Sequence, residues 1–467
     1  MEHDDCGAWT WSQQRGGCKL YRPPPTQSSG LYVHAPQSVS SVVSLKRSVL
    51  FVHNHPPQQR LGSDRRLLAL VQQVQRLGWS VSYAGAEAYD PGPVTGQTLL
   101  SQMGIPLLSP VSKPGALAAF ARTHDVSVVV LCLWFWGKQS VPQRYMRSLR
   151  NKMPQLKLVV MSDDVHHQRL QLETEDAGRS VGTEVKTLKE EELRHYFYAD
   201  HVLTISEVDK AGIISSLPTS RAMHESRFST LRHVYADGVI FPLERSKSFD
   251  QRNGLIFVGN LNNPTNLYSM RWFIREVWPQ VRRAEPRMTL QVVGSLDGES
   301  ARRSGLLELL RASPGVTVSG YVADSDMGHS LQQARVFIAP IRWATGIVTK
   351  QTLAHVHGLP SVVTPSAAQH IAPAPLDESG RGDVWSHIQG RYVLVKVAAV
   401  AETSTDYAAA ILNIHSNSSA WEELSRNGAR YARSGGGGKG VCPAGLSDDW
   451  LAFWGKLQTG CCTGVFK

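Results

Sequence analysis

Short apolar runs alternate with longer amphipathic stretches along most of this chain. The run "SVLFVHN" is continuous, as in a buried strand, and the stretch "SDRRLLALVQQVQRLG" after it places Leu67, Val71 and Val74 on one helical face. Further strands are predicted at "SVSYAG", "IPLLSP", "VSVVVLCL", "LKLVVMSDD" and "HVLTIS", with helices such as "KPGALAAFARTH" and "EVKTLKEEELRHYFYAD" between them. Buried strands that alternate with amphipathic helices predict a parallel sheet covered on both faces.

A second series of the same kind follows the polar, turn-rich stretch "YADGVIFPLERSKSFDQRNG", which is suited to an interdomain linker. Its predicted strands are "GLIFVGN", "MTLQVVGS", "VTVSGYV", "RVFIAPI" and "PSVVTP", and "NLYSMRWFIREVWPQVRRAE" is predicted as one long helix. The fold class is therefore α/β, with two doubly wound Rossmann-like domains that face a cleft. In such sheets ligands bind outside the carboxyl ends of the strands.

Glycines recur at those strand ends in the second series. The candidate residues are Gly259 and Asn260 after the first strand, Gly294 after the second, Gly320 and Tyr321 around the third, and residues 342–350 after the fourth. Glycine lets a backbone approach a ligand closely, and a helix N-terminus offers unpaired N–H groups. Each glycine taken alone is also consistent with a structural turn, but their recurrence favours a site for a diphosphate. Its N–H donors would be Gly346, Ile347, Val348 and Thr349, and Lys350 would add a full positive charge.

Several segments together resemble one known family. They are "FVGNLNNPTNLYSMRWFIREVWPQV", "LQVVGS", "GVTVSGYVAD" and "ARVFIAPIRWATGIVTKQTLAHVHGLPSVVTP", with "DDVHHQR" and "YADHVLTISEVD" earlier in the chain. In order and spacing they are similar to glycosyltransferases of the family 4 type, which have the GT-B fold, and the similarity covers about Ser48 to Tyr431. The resemblance implies a retaining transfer of a sugar from a nucleoside diphosphate donor to a hydroxyl, with no metal in the active site.

The resemblance also implies roles for individual residues. Those expected to bind the donor are Gly259, Asn260, Gly294, Tyr321, Val322, Arg342, Gly346, Ile347, Val348 and Thr349, with Tyr321 and Val322 beside the nucleobase. His166 and Lys350 are the expected catalytic residues, His166 near the reacting sugar and Lys350 on the diphosphate. The alternative for His166 is a hydrogen-bonded histidine at a strand end, and His167 is expected to be a neighbour without a role.

The chain departs from that family at Leu353, where a glutamate is usual, and at Thr345 and Gly346, where a second acid falls. If the glutamate holds donor hydroxyls, its loss weakens donor binding by a few kcal/mol at most. We expect an active glycosyltransferase. The alternative is a catalytically silent glycan-binding protein that keeps the fold.

The first 45 residues differ from the rest. "CGAWTWSQQRGGCKLY" and the Pro-rich "RPPPTQSSG" after it resemble the later half of a PAN/Apple module, and that resemblance implies a disulfide between Cys6 and Cys18 and an oxidising compartment. A disordered leader is the other interpretation. Localisation follows the same choice: the secretory-pathway lumen if the segment is PAN-like, otherwise the cytoplasm.

Length and composition agree with this organisation. With 467 residues and 42% hydrophobic content the chain can form two domains and a small module. We predict a PAN/Apple-like segment and linker at 1–45, an N-terminal Rossmann-like acceptor domain at 46–245, a C-terminal donor domain at 246–432, and a Gly-rich loop and tail at 433–467. The loop, "SGGGGKG", lacks the Ser or Thr that a phosphate loop carries after its lysine.

The net charge of +10 would attract phosphates or acidic glycans. We find no run of five or more like charges and no aromatic residues interleaved with a basic stripe, so no nucleic-acid partner is expected. No apolar run reaches the roughly 18 residues of a membrane span. Cysteine spacing predicts no zinc site, and no cofactor is expected besides the nucleotide sugar as co-substrate. The acceptor, whether glycan, protein or small molecule, would be bound by N-terminal loops such as "HNHPPQQRLG" and "LWFWGKQSVPQ", where Trp134 and Trp136 lie.

Overall fold

The computed structural model describes residues 11–14, 17–20, 47–57, 62–87, 96–111, 113–133, 135–136, 139–218, 224–231, 245–368, 383–388 and 391–433. The chain divides into two compact units, residues 1–43 and 44–467. In the first unit, strand β1 (Trp11–Gln14) pairs antiparallel with β2 (Gly17–Leu20). Cys18 lies in β2, whereas Cys6 lies outside the described residues, so their disulfide stays a prediction.

The second unit begins with a seven-stranded sheet, the N-terminal sheet, in which every pairing is parallel. Its strands are β3 (Ser48–His53), β4 (Ser80–Gly85), β5 (Leu107–Leu108), β6 (Val128–Leu133), β9 (Lys157–Ser162), β10 (His201–Thr204) and β11 (Phe228–Thr230), in the spatial order β11-β10-β9-β6-β3-β4-β5. Between β6 and β9 lies a short antiparallel pair, β7 (Phe135–Trp136) and β8 (Gln139–Ser140). All residues of β3 and β6 are buried, as their continuous apolar runs predict.

Helices cover both faces of this sheet. They are α1 (Gly62–Arg76), α2 (Gly96–Gln102), α3 (Pro114–Thr123), α4 (Val141–Lys152), α5 (His166–Asp176), α6 (Thr183–Tyr198) and α7 (Glu207–Ser216). Alternate residues of β3 serve separate cores: Val49 and Phe51 belong to the cluster with Leu67 of α1, and Leu50 and Val52 belong to the cluster with Tyr145 of α4. The period-2 alternation of side chains along a strand explains this division.

The C-terminal sheet has six parallel strands around one core. Its strands are β12 (Leu255–Val258), β13 (Leu290–Val293), β14 (Val316–Gly320), β15 (Val336–Ala339), β16 (Ser361–Val363) and β19 (Ala399–Val400), in the order β14-β13-β12-β15-β16-β19. A separate antiparallel pair is formed by β17 (Asp383–Ile388) and β18 (Arg391–Lys396). The prediction of two doubly wound α/β sheets is confirmed.

The helices of this half are α8 (Pro264–Trp272), α9 (Trp278–Ala284), α10 (Glu299–Arg303), α11 (Leu306–Ala312), α12 (Asp324–Gln333), α13 (Thr349–Val356), α14 (Pro365–Ala368), α15 (Ser404–Ser416) and α16 (Ser418–Arg433). The stretch predicted as one long helix is interrupted by a π-helical segment, Phe273–Val277, between α8 and α9. The N–H of Trp278 donates to the carbonyl of Phe273, five residues back. Pro279 follows directly, and because proline has no N–H and its ring crowds the carbonyl four residues earlier, a regular α-helix cannot continue there.

The stretch predicted as a linker ends inside the C-terminal core. Arg252 is 1% exposed, and its guanidinium donates to the carbonyls of Lys247, Leu331 and Ala334 at 2.9, 2.7 and 3.2 Å. It also donates to the carbonyl of His357 at 3.0 Å. Burial lowers the pKa of Arg252 to about 10, so the group stays charged at neutral pH. This arginine therefore ties the end of the linker to the C-terminal ends of helices α12 and α13, which composition alone did not indicate.

None of the helices in the described ranges is both long and apolar enough to cross a membrane.

Candidate functional site

The carboxyl ends of the first three strands of the C-terminal sheet pack backbone against backbone. The N–H of Gly259 donates to the Val293 carbonyl at 2.9 Å, and the N–H of Gly294 donates to the Gly320 carbonyl at 2.7 Å. Gly294 has a φ of 143°, and a Cβ there would lie 1.8 Å from the carbonyl oxygen of Gly259. Glycine at 294 is thus required by the strand packing itself, whatever ligand this end of the sheet binds.

Three further predicted donor residues lie at the same strand ends. Asn260 is exposed, and its side-chain oxygen accepts the N–H of Asn262 at 3.0 Å. Tyr321, directly after β14, is 55% exposed, whereas Val322 is half-buried against the C-terminal core. The structure therefore presents an aromatic ring and an amide at this edge.

The loop between β15 and α13 holds the predicted diphosphate-binding residues. Gly346 has a φ of 72°, and a Cβ there would lie 2.5 Å from the carbonyl oxygen of Asp163. The loop is thus seated directly on the end of β9 of the other sheet. Val348 precedes α13 and packs on the C-terminal core, and Lys350 lies in the first turn of α13, half-buried. Leu353, one turn later, is also half-buried against that core.

Carboxylates from the N-terminal sheet face this loop. The hydroxyl of Thr345 donates to Asp164, and the N–H of Gly346 lies 3.4 Å from Oδ1 of Asp209. Asp209 is buried in the first turn of α7, where the Ser206 hydroxyl donates to it at 2.6 Å. The loop therefore connects the two sheets through hydrogen bonds to acidic side chains.

Arg342 lies at the same boundary. Its guanidinium donates to Asp176, at the end of α5, at 3.0 Å, and stacks over Trp272 with its centre 5.3 Å from the ring centroid. The structure thus places this predicted donor residue in an ion pair between the two sheets.

His166 begins α5 and is buried, with Nδ1 3.8 Å from Oδ2 of Asp164. The N–H groups of His166 and His167 donate to the two carboxylate oxygens of Glu192 at 2.9 and 2.8 Å. Nδ1 of His167 lies 2.5 Å from the same carboxylate. Glu192, in α6, is fully buried, so it caps α5 as an N-terminal acid does and holds His166 in place. His167 has a structural role that the sequence analysis did not assign.

Arginines balance the acids beside the loop. Arg66 of α1, 1% exposed, pairs with Asp163 and donates to the Leu231 carbonyl at 2.7 Å. Burial raises the pKa of the Asp163 carboxyl, and the charge and hydrogen bond of Arg66 oppose that shift. Nη1 of Arg169 lies 2.7 Å from Oδ2 of Asp164. The acidic side of the boundary is therefore held by buried or half-buried ion pairs.

Sequence reasoning found the loop and His166 but missed their partners. Gly346 and His166 lie on opposite sides of one boundary, with Asp163 and Asp164 between them, whereas Gly259, Gly294 and Tyr321 lie at neighbouring strand ends of the C-terminal sheet. Asp209 had a local signal, because Ser206 followed three residues later by an acid is the pattern of a helix start. Glu192 had none, because nothing in an amphipathic helix marks one buried glutamate among exposed ones. Trp134, in one of the loops expected to bind the acceptor, lies outside the described residues.

The chain has similarity to known proteins over both halves. Residues 252–416 match the family model of glycosyl transferases group 1. Among solved structures, sucrose-phosphate synthase from Thermosynechococcus elongatus superposes with a TM-score of 0.62 at 13% identity, over 90% of this chain and all of that one. HepE from Anabaena, in complex with UDP-glucose, gives 0.59 at 12% identity over 88% of this chain and 99% of that one. A glycosyltransferase from Rickettsia africae gives 0.57 at 10% identity over 90% and 99%.

No curated protein sequence matches the chain significantly. The structural matches show the GT-B fold, and the family match places a glycosyltransferase group 1 domain on the C-terminal sheet. Together they support glycosyl transfer.

Proposed function

We propose that this protein is a glycosyltransferase of the family 4 type that moves a sugar from a nucleoside diphosphate sugar to an acceptor hydroxyl with retention of anomeric configuration. One observation carries the proposal: the loop at Gly346, inside the segment that matches the glycosyltransferase domain, meets Asp163 and Asp164, the acidic neighbours of His166, at the carboxyl ends of two parallel sheets. This is where doubly wound folds bind nucleotides.

Lys350 is the group proposed to stabilise the leaving diphosphate. It lies in the first turn of α13, where backbone N–H groups and the helix dipole already favour an anion. Charge develops on the diphosphate as the sugar leaves, so a fixed cation there is worth more in the transition state than in the ground state. In this proposal Lys350 and the N–H groups of residues 346–349 balance the diphosphate charge without a metal ion.

The opposite side of the site would hold the sugar. His166 is buried and held by Glu192 through its backbone, and Asp164 lies beside its ring. A histidine fixed in this way can hydrogen-bond a sugar hydroxyl in one orientation. The Gly346 N–H, now 3.4 Å from Asp209, would have to exchange that long contact for a diphosphate oxygen when the donor binds.

Donor recognition is proposed for the ends of β12 and β14. The exposed ring of Tyr321 can stack on a nucleobase, and Asn260 beside Gly259 offers an amide to the donor. The solved structure of HepE contains UDP-glucose, so uridine diphosphate sugars are the donors to test first. Leu353 packs on the core and offers no hydrogen bond, so we expect a donor affinity weaker by a few kcal/mol at most than a carboxylate there would allow.

The direct test is a donor panel. The full chain is incubated with nucleoside diphosphates and their sugars while its melting temperature is followed, because a ligand that binds the folded state raises it. Release of nucleoside diphosphate is measured in parallel, and the anomeric configuration of any product is read by NMR. We expect a melting shift with at least one donor and product that retains the configuration. No shift at millimolar ligand would refute the donor site, and binding without release from any donor would favour the silent glycan-binding alternative.

A further inference from the structure

A second cluster of chemically active side chains lies where strand β3 of the N-terminal sheet leads into helix α1, and it shares no residue with the diphosphate loop. Among the described residues, His53, His55 and Asp64 each offer one ligand atom, and these atoms all lie within 4.8 Å of one another. His53 ends β3, His55 follows in the next turn, and Asp64 lies in the first turn of α1. We propose that these three side chains bind a divalent transition-metal ion of the zinc type.

The distances are close to those that one ion requires. Nδ1 of His55 lies 3.8 Å from Oδ2 of Asp64, and the rings of His53 and His55 meet edge to face with centroids 4.9 Å apart. Zinc binds nitrogen and oxygen at about 2.0–2.2 Å, which puts two ligands of one tetrahedral ion about 3.3 Å apart. Side-chain rotations that move the ligand atoms by on the order of 1.5 Å or less would complete the site, and Nδ1 of His55 would exchange its contact with the Pro56 carbonyl, now 3.0 Å, for the ion.

The cluster is buried and its backbone is held on several sides. His53 is 5% exposed and Asp64 1%, and His53 pairs with Gly85 across the sheet. The Tyr83 hydroxyl donates to the His55 carbonyl at 3.0 Å, and the N–H of Ala86 donates to the His53 carbonyl at 2.8 Å. The backbone that carries the ligands therefore does not need to be ordered by the ion, which lowers the entropic cost of binding.

The tautomer of His53 decides which of its ring nitrogens can bind the ion. Its Nδ1 lies 3.3 Å from the carbonyl oxygen of His55 and 3.5 Å from the backbone nitrogen of the same residue. When Nδ1 carries the proton and donates to that carbonyl, Nε2 has the lone pair that a metal binds. Metal-ligating histidines are commonly oriented by a hydrogen bond of this kind.

The ligand set also selects the class of ion. Mg²⁺ and Ca²⁺ prefer oxygen ligands, whereas two imidazoles with one carboxylate suit zinc and its neighbours. Three protein ligands leave a fourth position for water or a substrate oxygen, as in zinc sites that act on a ligand. The cluster shares no residue with the donor site, so its occupancy can be tested whatever the outcome for glycosyl transfer.

The experiment uses the full chain after removal of metals with a chelator. Titration with Co²⁺ should show about one equivalent bound, with d–d bands and without a thiolate charge-transfer band, and Zn²⁺ should displace it. Absence of such a nitrogen- and oxygen-ligated ion at micromolar Co²⁺ would overturn the proposal. So would a spectrum in which thiolate transitions account for all bound metal, because the ion would then be on cysteines.

Variants locate the site. Asp64→Asn keeps the shape of the side chain and His55→Ala removes one imidazole, and each should weaken Co²⁺ binding at least tenfold. The matched control is His329→Ala, since His329 is an exposed histidine on α12, and it should leave binding unchanged. Melting curves without metal show whether each variant is folded. Equal affinity in the parent protein and both cluster variants would contradict the assignment.

Discussion

Three strands of the C-terminal sheet end in or lead directly into glycines, whereas three strands of the N-terminal sheet end in or lead into segments with titratable side chains. Gly259 and Gly294 follow β12 and β13, β14 ends at Gly320 just before Tyr321, and beyond β15 the chain forms the loop with Gly346. By contrast, β3 ends in His53, β9 runs into residues 163–166, and β10 is followed by residues 206–209.

The difference shows two ways of fixing binding groups before a ligand arrives. The C-terminal sheet offers backbone groups, and the N-terminal sheet offers charged side chains. In the proposed site a backbone donor works only if nothing prevents close approach, and the strand ends of the C-terminal sheet carry residues without a Cβ. A charged donor or acceptor works only if its geometry is fixed and its charge balanced, so the N-terminal sheet buries Arg66 and Glu192 behind its acids and histidines. Glycines lose more conformational entropy on folding than other residues, and buried charges lose their hydration.

The largest expected effect comes from removing the lysine charge beside the loop of the C-terminal sheet. Lys350→Met should lower turnover by about 30- to 1000-fold, equivalent to about two to four kcal/mol of barrier, and weaken donor binding much less. Turnover and donor affinity are measured separately, by product release and by calorimetry. Lys210→Met, on α7, is the control. Turnover within twofold of the parent protein would remove Lys350 from the proposed mechanism.

The next prediction asks why position 346 needs glycine: for its positive φ alone, or also for its close approach to the Asp163 carbonyl. Gly305 has a φ of 67° with no atom within 4 Å of a built Cβ, whereas Gly346 has a φ of 72° and meets the Asp163 carbonyl. Gly305→Ala should cost about 1–2 kcal/mol of stability from the backbone alone. Gly346→Ala should cost about 1–3 kcal/mol more, because the loop must move off β9.

Melting temperatures and donor affinity of both glycine variants provide the measurement. If the two variants lose equal stability and bind donor equally, the close packing of the loop on the other sheet is not important.

On the other side of the boundary, Glu192→Gln tests the buried acid. A glutamine keeps the shape but offers one carbonyl oxygen to two N–H donors, so one donor at the start of α5 loses its acceptor. We expect a loss of about 1–3 kcal/mol in stability and a fall in turnover through misplaced His166. Glu190→Gln, on the same helix, is the control. Unchanged turnover in a less stable protein would mean that Glu192 supports the fold alone.

The smallest expected effect is a dependence of stability on pH that arises from two histidines at the end of α13. Burial lowers the pKa of His355 and of His357 to about 4, from 6.5. The unfolded chain therefore binds more protons than the folded protein between about pH 6.5 and 4, and stability falls as pH decreases through that range. Each histidine contributes a slope of at most about 1.4 kcal/mol per pH unit. The melting temperature of His355→Gln should change less with acidification than that of the parent, and His329→Gln should behave as the parent does. If the melting temperature of His355→Gln changed with pH as much as that of the parent, His355 would not contribute to the pH dependence of stability.

The fold could be read from local patterns because parallel strands covered on both faces must be apolar at every position. The runs of β3 and β6 are buried throughout, as predicted. The long helix was predicted as continuous because periodicity does not report how a helix accommodates Pro279, and the π segment was missed. The linker prediction overlooked Arg252, because the sequence does not distinguish a buried arginine from an exposed one.

The sequence by itself determined the α/β class, the strand ends and the loop from Gly346 to Lys350, since those features depend on residues adjacent in the chain. Only the tertiary structure decided which residues of the N-terminal sheet lie opposite that loop. Thr345 and Asp164 are separated by 181 positions, and Gly346 and Asp209 by 137. Hydrogen bonds over such separations depend on how two sheets pack, and packing is set by the shapes of whole cores rather than by any local pattern. The same holds for His53, His55 and Asp64, which strand pairing and a helix start bring together around one point.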